Sequence, residues 1–101
     1  MASYEVTKGH VGAHAKTLAP NVVDSVTFQA VGDMDIEVRS DGAAAIYFTL
    51  DGSTPTVGGD HCYELPAAPS VRTVNRKKNF NQVVKLVSAG SPEYSVSKLG
   101  D

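Results

Sequence analysis

Cysteine, tryptophan and long apolar runs are scarce or absent in this sequence, and each absence excludes a class of protein. Because Cys62 is the only cysteine, no internal disulfide can form, so the chain is not a disulfide-stabilised secreted scaffold. No apolar run approaches the roughly 20 residues that span a bilayer, and the first residues lack the apolar core of a signal peptide. We therefore expect synthesis in a reducing cytoplasm, no membrane association and no secretory export.

Leucine and isoleucine are also scarce, with five and two residues, whereas valine supplies 14 and alanine 11. Valine-rich chains with few helix formers favour strands over helices. A length of 101 residues fits one domain whose core is stable without a metal or a disulfide. The net charge of −2 provides no general attraction to nucleic acid or to an anionic membrane. Charge alone therefore identifies no partner.

The stretch 43–60 combines the clearest strand with the longest turn. Ile46, Phe48 and Leu50 alternate with other residues, which predicts an inner strand with one buried face. The letters DGSTPTVGGD that follow are rich in glycine, proline and short polar residues. Such a composition predicts an ordered, exposed loop over 51–60.

Alternating runs recur about every ten residues, with turn residues between them. Residues 22–30 and 34–39 are predicted to form a hairpin, 61–65 a short strand near an edge, and 82–88 an inner strand. The total of seven or eight short strands, without a convincing helix, predicts an all-β fold. Short turns favour antiparallel pairing. We predict an antiparallel β-sandwich of the jelly-roll or immunoglobulin-like type.

The predicted domain organisation is simple. Residues 1–20 lack a sustained period and are predicted to form an extended N-terminal arm with at most one short strand. Residues 21–97 form the β-sandwich domain, and 98–101 form a polar tail. The sequence contains no internal repeat and no second domain.

The catalytic inventory is small. Cys62 follows His61, but neighbouring residues in a strand point to opposite faces, so we predict that Cys62 is a small, partly buried apolar residue. No nucleophile-elbow, phosphate-loop or zinc-protease motif is present. We expect no catalytic residue, no cofactor and no enzymatic activity.

Two groups of residues suggest metal ligands, and a simpler explanation is better for both. His10 and His14 would share a helix face, but Gly9 and Gly12 weaken a helix and no further ligand lies near. The loop oxygens could hold calcium, but their spacing does not match an EF-hand, so turn capping explains them better. The loop oxygens concerned belong to Asp51, Ser53, Thr54 and Asp60.

Basic residues gather near 75–79, which is predicted to be a hairpin tip. A solvated loop explains them best, a contact with an acidic protein partner comes next, and nucleic acid is not expected because only Phe80 adds an aromatic ring. We expect the partner contacts in three regions: the 51–60 loop, the arm and this tip. The predicted contact residues are Tyr47, Asp51, Ser53, Thr54, Pro55, Arg76, Lys77 and Lys78.

Residues 46–56 read IYFTLDGSTPT, and related segments continue through 57–68 and 84–96. Over 21–97 this pattern resembles small structural proteins encoded among the virion genes of tailed phages, especially those of actinobacteria. The resemblance implies a non-enzymatic accessory protein of the particle, such as a capsid decoration protein, a minor capsid protein or a tail or neck component. It implies synthesis in the host cytoplasm, assembly on the capsid surface, contacts with the major capsid protein or other virion proteins, and self-association.

The shorter run 46–56 also resembles β-sandwich domains appended to chitobiase-like and other bacterial glycan-acting enzymes. In those domains a tyrosine-rich strand precedes the same DGS-x-PT turn. This second resemblance implies a carbohydrate-binding or cell-surface-binding module, with a possible stacking role for Tyr47. The alternative stays open at this point.

Overall fold

Two β-sheets face each other in this protein, which is described from a computed structural model. The structure describes residues 1–7, 9–29, 32–78 and 82–99, with the backbone alone at 32–34 and 76–78. Nine strands occur within these residues: β1 (Ser3–Val6), β2 (Gly12–Thr17), β3 (Asp24–Phe28), β4 (Gly32–Ser40), β5 (Ile46–Thr49), β6 (Tyr63–Leu65), β7 (Ser70–Lys78), β8 (Gln82–Val87) and β9 (Glu93–Leu99). Sheet A has the strand order β1-β3-β8-β5-β6, and sheet B has the order β2-β9-β4-β7. The predicted β-sandwich is confirmed.

The strands form nested antiparallel pairs along the chain. β5 pairs with β6, β4 with β7, β3 with β8, and β2 with β9. Successive pairs lie in alternate sheets, so the chain is an antiparallel ribbon wrapped around one core. This arrangement is that of a jelly roll. β1 is an addition at the edge of sheet A and pairs in parallel with β3, which departs from the antiparallel pairing that the short turns favour.

The core lies between the sheets and is built from alternate residues. Val26 and Phe28 of β3, Phe48 of β5 and Leu86 of β8 have no exposed surface. Their sequence neighbours face outward because successive side chains of a strand point to opposite faces. Burying a side chain of this size contributes about 1.5–3 kcal/mol. The alternation read from the sequence therefore identifies the buried faces correctly.

The N-terminal arm predicted for 1–20 is wrong, because this segment supplies a strand to each sheet. β1 and β2 lie at the edges of sheets A and B, and Val6, Ala13 and Leu18 belong to the core. β2 was hard to predict because its pairing with β9 shifts between Ala13 and Lys16. Ala15, in that irregular stretch, has a φ of 56°, which L-residues rarely adopt.

The hairpin predicted from 22–30 and 34–39 is also wrong. β3 lies in sheet A and β4 in sheet B, so these strands face each other across the core. A short connection between strands indicates a hairpin only when both strands join the same sheet. The edge position of β6 and the inner position of β8 are as predicted. The tail predicted for 98–101 is wrong at its first two residues, because β9 runs to Leu99.

Aromatic rings and cations close both sides of the sandwich. On one side, Nζ of Lys16 in β2 lies 4.7 Å from the centre of the Tyr4 ring in β1. On the other side, the guanidinium of Arg72 in β7 lies 4.9 Å from the ring of Tyr63 in β6, which stacks on Phe48. Cation–π contacts of this kind are attractive, and the long stems also shield the core.

Two glycines allow a matched test of the loop packing. Gly42 and Gly52 have φ values of 87° and 85°, but a Cβ at Gly42 would lie 2.3 Å from the backbone of Ala68 and Pro69, whereas Gly52 faces open space. Both alanine variants carry the backbone strain of a left-handed residue, about 1–2 kcal/mol. We expect Gly42→Ala to lose clearly more free energy of unfolding than Gly52→Ala in urea denaturation. Equal losses would contradict the close approach at Gly42.

Candidate contact surface

The loop after β5 lies over the outer face of sheet A. Because Phe48 points into the core, Thr49 points to the outer face. Thr49 is nevertheless only 2% exposed, and its Oγ1 donates a hydrogen bond to Ser53 O at 2.6 Å. The segment 51–62, called the 51–62 loop below, therefore covers part of this face instead of projecting into solvent.

Hydrogen bonds within the loop fix its shape. Asp51 Oδ1 accepts from the backbone N of Ser53 at 3.0 Å and from its Oγ at 2.6 Å. Further along, Gly59 N donates to Thr56 O at 3.0 Å, and Cys62 N donates to Gly59 O at 3.2 Å. Asp51 thus caps the turn as predicted, whereas the Ser53 hydroxyl bonds to the Asp51 carboxylate and not to the backbone.

The structure divides the predicted loop contacts into exposed and buried residues. Asp51, Ser53 and Thr54 are exposed, so a partner can reach their side chains. Pro55 is buried, so its prediction as a surface contact is wrong. A proline ring is a rigid apolar group, and here it packs inward and anchors the loop.

Tyr47 lies on the outer face of sheet A, directly opposite Glu64 of the neighbouring strand β6. Tyr47 is half-buried and Glu64 is exposed. The hydrogen bond with Glu64 raises the pKa of Tyr47 above its ordinary value, and partial burial adds to this effect. The pair therefore presents an aromatic ring beside a carboxylate on a face that solvent can reach.

The hairpin tip predicted near 75–79 is wrong over most of its length. Arg76, Lys77 and Lys78 lie in β7, where their backbones pair with β4, and β7 does not share a sheet with β8. β7 is an edge strand of sheet B, whereas the 51–62 loop covers part of sheet A. The basic residues and the loop therefore belong to different sheets. The rest of the predicted tip, residue 79, lies outside the described residues.

A cleft of about 320 Å³ opens where the two ends of the 51–62 loop meet. Thr49, Asp51, Asp60, His61 and Cys62 line it. The last two residues precede β6 and are not part of a strand. Their side chains consequently lie together, with 3.5 Å between His61 Nε2 and Cys62 Sγ, and the prediction that they point to opposite faces is wrong.

The hydrogen bonds of His61 limit what this pair can do. His61 Nε2 also lies 3.1 Å from Thr54 O. A carbonyl oxygen only accepts, so this contact is a hydrogen bond when Nε2 carries the proton, and a protonated Nε2 cannot take the proton of Cys62. In the described part of the chain, no side chain hydrogen-bonds to His61 Nδ1 to orient the ring. The pair therefore lacks the chain of hydrogen bonds, from nucleophile to base to orienting group, that activates a thiol.

The two N-terminal histidines are not on a common helix. His10 lies in a turn, with Nδ1 3.4 Å from Thr7 Oγ1, and His14 lies in β2 and is exposed. Among residues 1–7, 9–29, 32–78 and 82–99, no group of three histidine, cysteine or acidic side chains is placed to hold a metal ion.

Sequence reasoning missed one cluster on this surface. Lys85 of β8 lies beside Ser25 of β3 on the outer face of sheet A, close to Thr54 of the 51–62 loop. Val22 and Val23, which precede β3, complete the cluster. The available signal was a single lysine in the otherwise apolar run VVKLV, at a position that alternation places outward.

Comparisons with known proteins agree on the fold alone. No protein-family model matches this chain, and no curated protein matches it. Among solved structures, a periplasmic inhibitor of g-type lysozyme from Aeromonas hydrophila is similar, with a TM-score of 0.60, 13% identity and coverage of 98% of this chain and 100% of that chain. A de novo designed double-stranded β-helix has a TM-score of 0.59 at 12% identity, covering 83% of this chain and 94% of that chain.

A third similar structure is the pre-peptidase C-terminal domain of a collagenase from Bacillus anthracis. Its TM-score is 0.53 at 14% identity, with coverage of 96% of this chain and 94% of that chain. At such identities the likeness concerns architecture and not activity. No helix within the described residues is long and apolar enough to cross a membrane.

Proposed function

We propose that this chain is a non-enzymatic structural protein of a tailed-phage virion, a capsid decoration or minor capsid protein that binds and stabilises the head shell. The resemblance of residues 21–97 to small phage virion proteins supports the proposal. The jelly roll is compatible with it, since capsid and lectin domains use this architecture. Because one fold serves many functions, the proposal depends on the surface and not on the fold.

The observation that carries the proposal is the rigid, exposed 51–62 loop. Its hydrogen bonds and its buried Pro55 hold Asp51, Ser53 and Thr54 in fixed positions on the outer face of sheet A. A preorganised loop loses little conformational entropy when a partner binds, so more of the contact energy appears as affinity. Surface loops on a stiff β-scaffold are common binding sites.

The absence of enzymatic activity is part of the proposal. It is supported by the His61–Cys62 arrangement, in which Nε2 also contacts Thr54 O and the ring lacks an orienting partner in the described residues. The partners that we propose are the major capsid protein or other virion proteins, together with further copies of this chain. Weak contacts repeated over a capsid lattice gain strength through avidity.

Co-sedimentation with capsids tests the proposal. Capsids assembled without this chain, from the phage that encodes it, are mixed with purified protein and pelleted. We expect the wild type to pellet with them and Thr54→Tyr to bind about tenfold more weakly, because a ring on the loop blocks close approach. Thr73→Tyr is the matched control, since Thr73 is also exposed but lies on sheet B. Deleting residues 1–20 is not a suitable test, because it removes β1 and β2.

The outcomes of this assay distinguish which part of the particle the protein binds. A protein that neither pellets with capsids nor occurs in purified virions overturns the proposal. Recovery with tails or necks alone would show that the protein binds that part of the particle and not the head. Equal binding of the wild type and Thr54→Tyr would remove the loop from the contact surface.

A carbohydrate-binding module is the second candidate, and the Tyr47–Glu64 pair favours it. An aromatic ring beside a carboxylate matches the apolar face and the hydroxyl groups of a sugar. Binding on a glycan array that is lost in Tyr47→Ala would support this function over the capsid role.

A further inference from the structure

A second cleft, larger than the one at the ends of the 51–62 loop, lies beside this loop on the outer face of sheet A. Its volume is about 490 Å³, within the range of ligand sites. Ser25 and Lys85 form its floor as directly paired residues of β3 and β8, which are inner strands of the sheet. Val22 and Val23 line one wall and Thr54 the other, and Met1 and Asn21 complete the lining.

Both walls are held in place by hydrogen bonds. On one side, Asn21 N donates to Ser88 O at 2.7 Å, and Val22 N donates to Ala19 O at 3.2 Å. On the other side, Thr54 O lies 3.1 Å from His61 Nε2, within the loop that Pro55 anchors. The cleft is therefore formed before any ligand arrives, which lowers the cost of binding.

Lys85 is a half-buried cation without a counter-ion. Within the described chain, no acidic side chain lies within 4.0 Å of its Nζ, and the one ion pair among these residues joins Arg39 to Glu37. Its strand neighbours on the outer face, Thr49 and Ser25, are neutral. A lysine beside two valines favours a ligand that brings a negative charge together with an apolar group.

We propose that this cleft binds a peptide segment of a protein partner in which a carboxylate lies next to an apolar side chain. The carboxylate pairs with Lys85, Ser25 and Thr54 hydroxyls donate to it, and the apolar side chain packs on Val22 and Val23. The identification of the partner as a capsid protein rests on the proposed function, but the ligand chemistry does not.

Two arguments select this ligand. Lys85 is the one charged side chain among the lining residues, and a single ammonium group balances the single charge of a carboxylate better than the charge of a phosphate group, about −1.5 to −2 at pH 7. A peptide segment gains further contacts along the adjoining 51–62 loop, where Ser53 and Thr54 are exposed.

A pair of small probes tests the chemistry on the full chain. N-acetyl-leucine and N-acetyl-leucinamide share the isobutyl side chain and differ in the carboxylate. In a ¹⁵N NMR titration, we expect N-acetyl-leucine to shift the amides of Val22, Val23, Ser25, Thr54 and Lys85, and the amide probe to bind about tenfold more weakly. Equal binding of the two probes, or shifts elsewhere alone, overturns the proposal.

Lys85→Met keeps the apolar stem and removes the charge, so it should lower the affinity for N-acetyl-leucine about tenfold. Lys98→Met is the matched control, because Lys98 is also half-buried but lies in sheet B. An unchanged affinity in Lys85→Met overturns the proposal even if the probe binds.

The capsid assay separates the two proposals. N-acetyl-leucine binding by a wild type that does not pellet with capsids supports the cleft and overturns the capsid function. Capsid binding that Lys85→Met leaves intact, without N-acetyl-leucine binding, overturns the cleft and supports the capsid function. Capsid binding that N-acetyl-leucine and the Lys85→Met change both weaken supports both proposals.

Discussion

Replacing Phe48 with alanine is expected to lower the free energy of unfolding by about 3–5 kcal/mol. Phe48 has no exposed surface, and its ring stacks on Tyr63 with 5.3 Å between the centroids. Removing the ring forfeits its burial and also leaves a cavity between the sheets, because neighbouring strands are fixed by their hydrogen bonds. Domains of this size are stabilised by about 5–15 kcal/mol, so the variant loses a large part of its stability.

Urea denaturation followed by circular dichroism measures this loss. Val57→Ala is the control, because Val57 is 44% exposed and a surface change of this kind stays within about 0.5 kcal/mol. A loss below about 1.5 kcal/mol in Phe48→Ala would place the ring outside the core and contradict the sandwich described above.

Alkaline pH is expected to weaken the protein through Tyr94, which is 1% exposed. Its hydroxyl donates to Asp24 Oδ2 at 3.0 Å, and Asp24 is itself buried and accepts from Ala2 N at 3.2 Å. Burial, and next the negative charge of Asp24, raise the pKa of Tyr94 well above its ordinary value. The folded state therefore favours the protonated phenol.

The direction of the pH effect follows from this shift. In the unfolded chain a tyrosine ionises near pH 10, whereas in the folded chain Tyr94 stays protonated to higher pH. The stabilisation is complete below about pH 10 and decreases as the pH rises from there toward the folded-state pKa. This single group should lower the free energy of unfolding by about 1.4 kcal/mol per pH unit in that window.

Tyr94→Phe removes the ionising group and isolates its contribution. At neutral pH the variant should be less stable by about 1–3 kcal/mol, because Asp24 loses a buried hydrogen-bond donor. Above about pH 10 the difference between wild type and variant should shrink as the wild type loses stability. Tyr63→Phe serves as the control, because Tyr63 lies in the edge strand β6 of sheet A, away from Asp24 in β3. A constant difference across the alkaline range would contradict the buried environment of Tyr94.

The candidate contact surface was only partly predictable. The loop and its exposed residues Asp51, Ser53 and Thr54 follow from the sequence, because glycine and short polar residues act locally on the backbone. The burial of Pro55 does not follow, since it depends on how the loop returns over sheet A. Lys85 could be placed on an outer face by alternation, but its valine neighbours come from a segment about 60 residues earlier in the chain.

The sequence by itself determined the positions of most strands after residue 21, and the buried face of a strand where the alternation is clear. Ile46, Phe48 and Leu50 were assigned to the core correctly, because side-chain alternation is a property of each strand alone. It also excluded an internal disulfide, because Cys62 has no partner in the chain.

Only the tertiary structure decided which strands share a sheet. The buried face of a strand must pack against another apolar face, but several strands offer apolar faces of similar size. The packing of the whole core therefore selects which strands face each other, and the order of the strands in the sequence does not. For this reason 1–20 supplies two strands, β3 and β4 face each other across the core, and His61 lies beside Cys62.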